Sequence, residues 1–225
     1  MDRYRPSLIV AAVLLAMLAG FVDALAFLRL GGFFASFMSG NTTRLGVGIA
    51  TLDHDSARMA GALILSFLTG VMIATMVSVR FAPRRKPAVM LLVTILLTCA
   101  ALATSVTDRR FPLLLLAVAM GAENGVFNRE GEVSVGVTYM TGSLVKFGQK
   151  LTRALIGAGD TLAWVPYLVL WLGFAIGVVL GGRMQQTTGE TALWAAAGAA
   201  GVLTLLIAAL TWRDQPAIID RAPAP

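Results

Sequence analysis

A single cysteine and a single histidine are all that this chain of 225 residues offers of the side chains most used for metal binding and nucleophilic chemistry. Cys99 lies inside an apolar block and has no second cysteine to pair with, so disulfides and cysteine-bound metals are excluded as organising features. His54 stands between Asp53 and Asp55 in a short polar stretch; lacking a further histidine or cysteine, the trio reads as a solvated loop and not as a metal cluster. Charge is scarce as well: Asp, Glu, Lys and Arg make up 13% of the chain, where a soluble domain carries roughly 25%. A phosphate-binding loop, a histidine-rich zinc signature and a G-x-S-x-G elbow are all missing, so the sequence reads as that of a non-enzyme without a cofactor. Polar residues are confined to short loops and tails, which leaves no room for a soluble domain.

What remains is apolar. Hydrophobic residues make up 57% of the chain, the mean hydropathy is +0.80, and the apolar residues come in long blocks instead of at helical or strand spacing. A block of about 20 such residues is what a helix needs to cross roughly 30 Å of hydrocarbon. Six strong spans are predicted, at 7–28, 59–79, 87–106, 111–127, 163–182 and 191–212. The basic start Met1 to Arg5 is followed by an apolar run that outlasts a signal peptide and carries Asp23, so this run is expected to be a first span. The net charge of +6 and pI near 10.2 do not indicate nucleic acid, because the cations cluster at block ends, where they set topology and meet lipid headgroups.

Two weaker apolar segments, 33–50 and 133–149, carry a repeated polar phrase: "MSGNTTRLG" from Met38 and "MTGSLVKFG" from Met140. If both segments are re-entrant, eleven Lys and Arg residues fall on the cytoplasmic side against five outside, whereas eight full crossings give nine against seven. The six-span arrangement therefore fits better, with both termini cytoplasmic. The halves also match in order. "GFVDA" at Gly20 parallels "GAENG" at Gly121, and Ser66, Gly70 and Ala74 parallel Gly173, Gly177 and Gly181. Each half then holds three spans and one broken segment, and because three is odd the second half is inverted. The expected architecture is an all-α polytopic membrane protein, a single membrane domain over 1–225 with repeat one at about 7–106, repeat two at about 111–212 and a flexible proline-rich tail at 213–225.

Backbone that leaves helical pairing at membrane depth must be buried in protein or line a wet cavity. Gly40 and Gly142 are expected to supply tight turns, and Ser39, Asn41, Thr42, Thr141 and Ser143 to cap short helices beginning there. Arg44 and Lys146, one turn later, add positive charge to helix starts that would attract an anion or a polar carbonyl. A plainer reading is that these residues only end helices while the cations snorkel to an interface. Asp23, deep in the first span, costs on the order of 2.5–3.5 kcal/mol as a charge on insertion scales. Its candidate roles are proton or cation coupling, pairing with Arg44 or Lys146, or hydrogen bonding to broken backbone; Glu123 and Asn124 occupy the matching region. The small residues at four-residue spacing are read as helix packing, between the halves or across a homodimer. Trp164 and Trp212, at block ends, read as interfacial anchors.

"GFVDALAFLRLGGFFASFMSGNT", followed by "MGAENG" and "TYMTGSLVKFG" in the second half, closely resembles the YoaK-like family of bacterial inner-membrane proteins, known mainly as a domain of unknown function with about six predicted spans. The resemblance runs from about Leu8 to Trp212 and implies an inner-membrane location and a repeat structure, with no substrate. Members often read glutamine-asparagine where this chain has Glu123 and Asn124, so no proton role for Glu123 carries over. Two main readings stand. One is a secondary transporter or channel for a small polar or anionic solute, with Asp23, Asn41, Arg44, Glu123, Asn124 and Lys146 around a midplane cavity. The other is a non-transporting assembly protein whose polar residues only satisfy broken helices; an intramembrane enzyme is a weaker third.

Overall fold

The computed structural model describes residues 6–104, 110–129, 132–133 and 139–213. Among them the chain forms α1 (Pro6–Arg29), α2 (Met38–Ala50), α3 (His54–Arg80), α4 (Arg85–Ala103), α5 (Arg110–Glu123), α6 (Met140–Leu155), α7 (Val165–Thr188) and α8 (Ala192–Arg213). Between α5 and α6, β1 (Asn128–Arg129) pairs antiparallel with β2 (Glu132–Val133). The tail beyond Arg213 and the cations Arg3 and Arg5 lie outside the described residues.

Each long helix follows an apolar run and stops where chain chemistry interrupts it. The Asp53 carboxylate accepts the Ser56 N–H at 3.1 Å and so caps the start of α3. That helix ends before a single 3-10 turn over Ala82–Arg84, which contains Pro83. Proline sits in the first turn of α7, where its missing N–H is no loss, and the helix ends at Gly189, whose φ of +59° few other residues tolerate.

Among the described residues four stretches are long and apolar enough to cross a membrane: Ile9–Arg29, His54–Arg80, Ala82–Ala103 and Val165–Trp212, the last of 48 residues containing both α7 and α8. The chain is therefore a helical membrane protein. The stretch read as a span over 111–127 differs from expectation. It forms α5, of 14 residues, about 21 Å at 1.5 Å per residue, which is short of about 30 Å of hydrocarbon. The helix stops at Glu123 because Asn124 and Gly125 open a turn in which the Gly125 N–H donates to the Ala122 carbonyl at 2.9 Å. Nine α5 residues are buried, so α5 is a core element packed among longer helices.

The most extensive packing joins α1 to α7, α3 to α5 and α4 to α8. The first two interfaces use the same device. A Cβ on Gly177 would strike the Met17 carbonyl and one on Gly20 the Phe174 carbonyl; likewise one on Gly70 would strike the Val118 carbonyl and one on Gly121 the Phe67 carbonyl. Such contacts require glycine, because they bring backbone against backbone. Gly173, Gly177 and Gly181 meet Val13, Met17 and Phe21 in that order, so α1 and α7 run the same way. Gly70 meets Val118 and Gly125 meets Ala74, so α3 and α5 also run the same way. Between α4 and α8 the order reverses: Thr94 bonds Thr204 at 2.9 Å, while Arg85 and Lys86 share a cavity wall with Leu210 and Thr211. The small-residue rows thus serve packing within the chain, with Ala74 buried beside Gly125 and Ser66 half-buried.

Candidate functional site

The first half breaks its helical run after Arg29. Gly31 and Gly32 take φ of +64° and +99°, values that favour glycine, and the chain then runs non-helically to Phe37 before α2 begins. A buried non-helical run needs partners for its amides, and Asp23 provides them. The carboxylate is 3% exposed. Its Oδ1 accepts the N–H groups of Ala35 at 2.8 Å and Ser36 at 2.6 Å, and its Oδ2 accepts the Ser36 hydroxyl at 2.6 Å. Three donors converging on one acid satisfy the charged form without a cation. Of the roles open to Asp23, hydrogen bonding to broken backbone is what the geometry contains.

Asn41 holds the same run from the other end. The fully buried side chain donates to the Phe34 carbonyl at 2.7 Å and accepts the Phe34 N–H at 3.1 Å. A primary amide carries donor and acceptor side by side, so it matches a peptide as a neighbouring strand would.

The expected capping of the short helices does not occur. The residues at the cap positions are Phe37 and Tyr139, and neither helix start has a side-chain cap bond. Gly40 lies in the first turn of α2 against the Phe34 and Phe37 rings, and the tight turn sits upstream at Gly31 and Gly32. The Thr42 hydroxyl bonds back to the Met38 carbonyl at 2.8 Å, while Ser39, Thr141 and Gly142 are exposed and Ser143 is buried. The physical reason is that Asp23 and Asn41 satisfy the run leading into α2 from within the fold, so the helix starts earlier than its polar residues suggest. Arg44 and Lys146 do not reach Asp23 either. Arg44 lies over the Phe33 ring at 4.6 Å and Lys146 over the Tyr167 ring at 5.8 Å, each as a cation on an aromatic face.

Asp23 and Ser36 line a cavity of 530 Å³. Its walls come from both halves of the chain: Phe27, Phe34 and Phe37 from the first, and Met140, Phe174 and Val178 from the second, with Gln186 among the lining. Phe34 is the hub of the aromatic wall, its ring centroid 5.3 Å from Phe27 and 5.2 Å from Phe37, the latter edge to face. Arg29 donates through Nε to Gln185 Oε1 at 3.0 Å and ties the end of α1 to α7 beside this space. Among the described residues no lysine or arginine lines the cavity. Ser39, Gly40, Asn41, Thr42, Arg44, Thr141, Gly142, Ser143 and Lys146 lie off its wall, as do Glu123 and Asn124.

Glu123 and Asn124 end α5. The Asn124 amide donates to the Met120 carbonyl at 2.9 Å. Glu123 is fully buried with neither carboxylate oxygen hydrogen-bonded. The phenylalanine cluster, the Arg29–Gln185 tie and the Gly31–Gly32 turn are not among the residues singled out from the sequence. A usable signal was present: Phe27, Phe33, Phe34 and Phe37 are four of 11 phenylalanines, gathered around two adjacent glycines. Among the described residues no group of three or more His, Cys, Asp or Glu is placed to hold a metal.

Comparison with known proteins gives a consistent family. A family model described as protein of unknown function (DUF1275) matches residues 11–206. The UPF0700 transmembrane protein RA0705 of Rhizobium meliloti (strain 1021) is 37% identical over 196 residues, covering 87% of this chain and 83% of the relative. The UPF0700 transmembrane protein YoaK of Bacillus subtilis (strain 168) is 23% identical over 149 residues, covering 63% and 66%. No solved structure matches the chain.

Proposed function

The chain belongs to the DUF1275 family of proteins of unknown function, and from that premise we propose that it is a secondary transporter that alternates access between two inverted repeats and carries an apolar organic cation. The observation that carries this reading is the Asp23 carboxylate in the lining of a 530 Å³ cavity walled by phenylalanine from both halves. A carboxylate among aromatic faces suits a cation with an apolar body, which gains from charge attraction and from the negative faces of the rings. The lining favours this over an anionic or strongly polar solute, because the basic residues Arg44 and Lys146 are engaged elsewhere.

The repeat reading rests on helix direction. Halves related by rotation about the membrane normal would have matching helices running the same way. Halves related by an axis in the membrane plane have them running oppositely. The last helices of the halves, α4 and α8, pack in opposite directions, and the glycine crossings of α1 on α7 and of α5 on α3 are counterparts. In this reading α2 and α6, at 13 and 16 residues, are the re-entrant elements, and α5, which alone falls short of a span, makes the sixth crossing together with the largely buried turn that follows it through Phe127. The location is the bacterial inner membrane with cytoplasmic termini.

A second reading, a non-transporting assembly protein, is favoured by one observation: Asp23 already accepts three bonds from its own chain. Ethidium flux in proteoliposomes separates the two. Wild type should move ethidium saturably, and folded Asp23→Asn should not. If wild type neither binds nor moves ethidium while Asp23→Asn changes only stability, the transporter reading falls and the assembly reading stands.

A further inference from the structure

Where α3 turns into α4 the bundle holds a second hollow, of 250 Å³, which shares no lining residue with the Asp23 cavity. Of its lining, Ala11, Phe127 and Ile207 are buried, Arg85, Lys86, Leu210 and Thr211 are half-buried, and Ala82 and Pro83 are exposed. The hollow thus reaches from the packed interior to the surface, with two cations along it. The Lys86 ammonium lies 5.9 Å from the centre of the buried Phe127 ring, an aromatic face that holds it at the lining. Arg85 makes no hydrogen bond or ion pair with any described residue. Among the described residues no aspartate or glutamate lines the space. The Thr211 hydroxyl gives its proton to the Ile207 carbonyl at 2.7 Å. The side-chain donors left in the lining are therefore the Arg85 guanidinium and the Lys86 ammonium.

Two half-buried cations in a hollow without an acid call for an anion, since charge partly withdrawn from water is costly unless it is paired. The planar fork of arginine matches two oxygens of a phosphate, and lysine adds a point charge beside it. The rest of the lining is apolar: Ala11, Pro83, Phe127, Ile207 and Leu210 offer no side-chain donor to the remaining oxygens of a free phosphate ion. They suit a phosphate that carries an apolar body. Depth agrees with this, because Trp212, next in the chain to Thr211, is 79% exposed at the end of α8, where tryptophan marks the headgroup level.

Topology alone does not account for the arrangement. Cations that set orientation act by their number near the end of a span, and Arg80 and Arg84, both exposed, serve that purpose without entering a hollow. Nor does the start of a helix here require them: α8, the counterpart of α4 in the repeat reading, opens with Ala192, Leu193 and Trp194. We propose that this hollow is a binding site for the headgroup phosphate of an anionic phospholipid, held by Arg85 and Lys86, with the glycerol and the first methylenes against Pro83, Ile207 and Leu210. Basic pockets between membrane helices are recognised sites for such headgroups. The site closes the seam between the start of α4 and the ends of α1 and α8, and it is independent of what the Asp23 cavity carries.

The test uses the full chain purified in detergent and mixed with equal amounts of phosphatidylglycerol and phosphatidylcholine of the same acyl chains. Native mass spectrometry should find one phosphatidylglycerol retained per wild-type chain, and phosphatidylglycerol should raise the melting temperature where phosphatidylcholine does not. Arg85→Gln with Lys86→Gln should lose both effects. Arg80→Gln with Arg84→Gln removes the same charge from the same end of the bundle and should keep both. Equal retention of the two lipids by wild type, or equal loss in the two double variants, would overturn the proposal. Inorganic phosphate alone raising the wild-type melting temperature as far as phosphatidylglycerol does would overturn the lipid as the source of the phosphate. Leu210→Trp narrows the hollow without touching a charge and should also lose the retained lipid, so it decides the matter if the paired cation variant fails to fold. Undiminished retention in folded Leu210→Trp would overturn the site.

Discussion

Ser36 gives the Asp23 carboxylate two of its three hydrogen bonds, the backbone N–H at 2.6 Å to Oδ1 and the hydroxyl at 2.6 Å to Oδ2. One residue thus ties both carboxylate oxygens to the run that separates α1 from α2. Structure and charge can be separated at this point. Ser36→Ala leaves the charge on Asp23 and removes one bond to a charged acceptor, an expected loss of roughly 1.5–3 kcal/mol. Asp23→Asn removes the charge and turns an amide NH₂ toward a donor, with a loss of similar size. Thermal unfolding in detergent should rank both below wild type, while ethidium transport should survive in Ser36→Ala and vanish in Asp23→Asn. Equal loss of transport in both would assign Asp23 to loop support alone.

Asn41 makes a sharper prediction about the same run. Its amide both donates to and accepts from Phe34, so Asn41→Asp keeps the acceptor and sets a carboxylate against the Phe34 carbonyl. Asn41→Asp should be at least as damaging as Asn41→Ala, despite its similar shape, with a cost of about 1–3 kcal/mol for the group left unpaired. Amide exchange at Phe34 and thermal unfolding separate the two halves of the clamp: protection of the Phe34 N–H should fall in Asn41→Ala, which removes its acceptor, and persist in Asn41→Asp, whose cost appears in the melting temperature; unchanged protection in Asn41→Ala would show that the clamp is not needed.

The glycine crossings were the most legible part of the fold, and the reason is physical. A four-residue spacing of small side chains encodes a close helix approach in the sequence itself, with no need to know the partner. Gly177 and Gly70, equivalent by that spacing, abut the carbonyls of Met17 and Val118. Either glycine replaced by alanine should force backbones apart, at about 1–3 kcal/mol for overpacking. Gly198, with nothing near its would-be Cβ, should gain up to about 1 kcal/mol of helix propensity on the same change. Melting temperatures of the three variants check this, and equal effects at all three positions would remove the crossing argument.

The site was less legible, because its geometry depends on contacts that no local pattern announces. Ser39, Asn41 and Thr42 look like caps, since polar side chains at a helix start usually serve the first free amides. Here the amides ahead of α2 are served by Asp23, twelve and thirteen residues back in the chain, and that satisfaction from afar frees the helix to start at Met38. Arg44 and Lys146 were legible as a matched pair of cations in the repeated phrase. Their ends on Phe33 and Tyr167 were not, because cation and ring meet only once the short helices fold back.

Asp53 supplies a pH dependence outside the membrane. Its exposed carboxyl is held below its ordinary value chiefly by hydrogen bonding to Ser56, since the charged form is the one that caps α3. The folded state therefore binds protons less readily than the unfolded chain, whose aspartate titrates near about 3.9. The cap's contribution is complete above that value and fades as pH falls through the lower folded value. Amide exchange at Ser56 should quicken relative to the middle of α3 on acidification in wild type and show no such step in Asp53→Asn, whose neutral side chain caps without titrating. A matching step in the variant would assign the effect to another group.

Inversion of the repeats has a topological consequence that labelling can read. The turn between α2 and α3, at Leu52 and Asp53, and the turn between α6 and α7, at Gly157 to Asp160, are the outer ends of the two short helices and are exposed. If the halves are inverted, these turns face opposite sides of the membrane, because each short helix enters and leaves by the face its own half presents. With Cys99 replaced by serine, single cysteines at Ser56 and Ala158 should react with an impermeant maleimide from opposite sides of intact and inverted vesicles. Reaction of both from one side would mean that the two halves stand the same way up. The oppositely directed α4 and α8 would then be a packing accident, and the alternating-access reading would lose its structural basis.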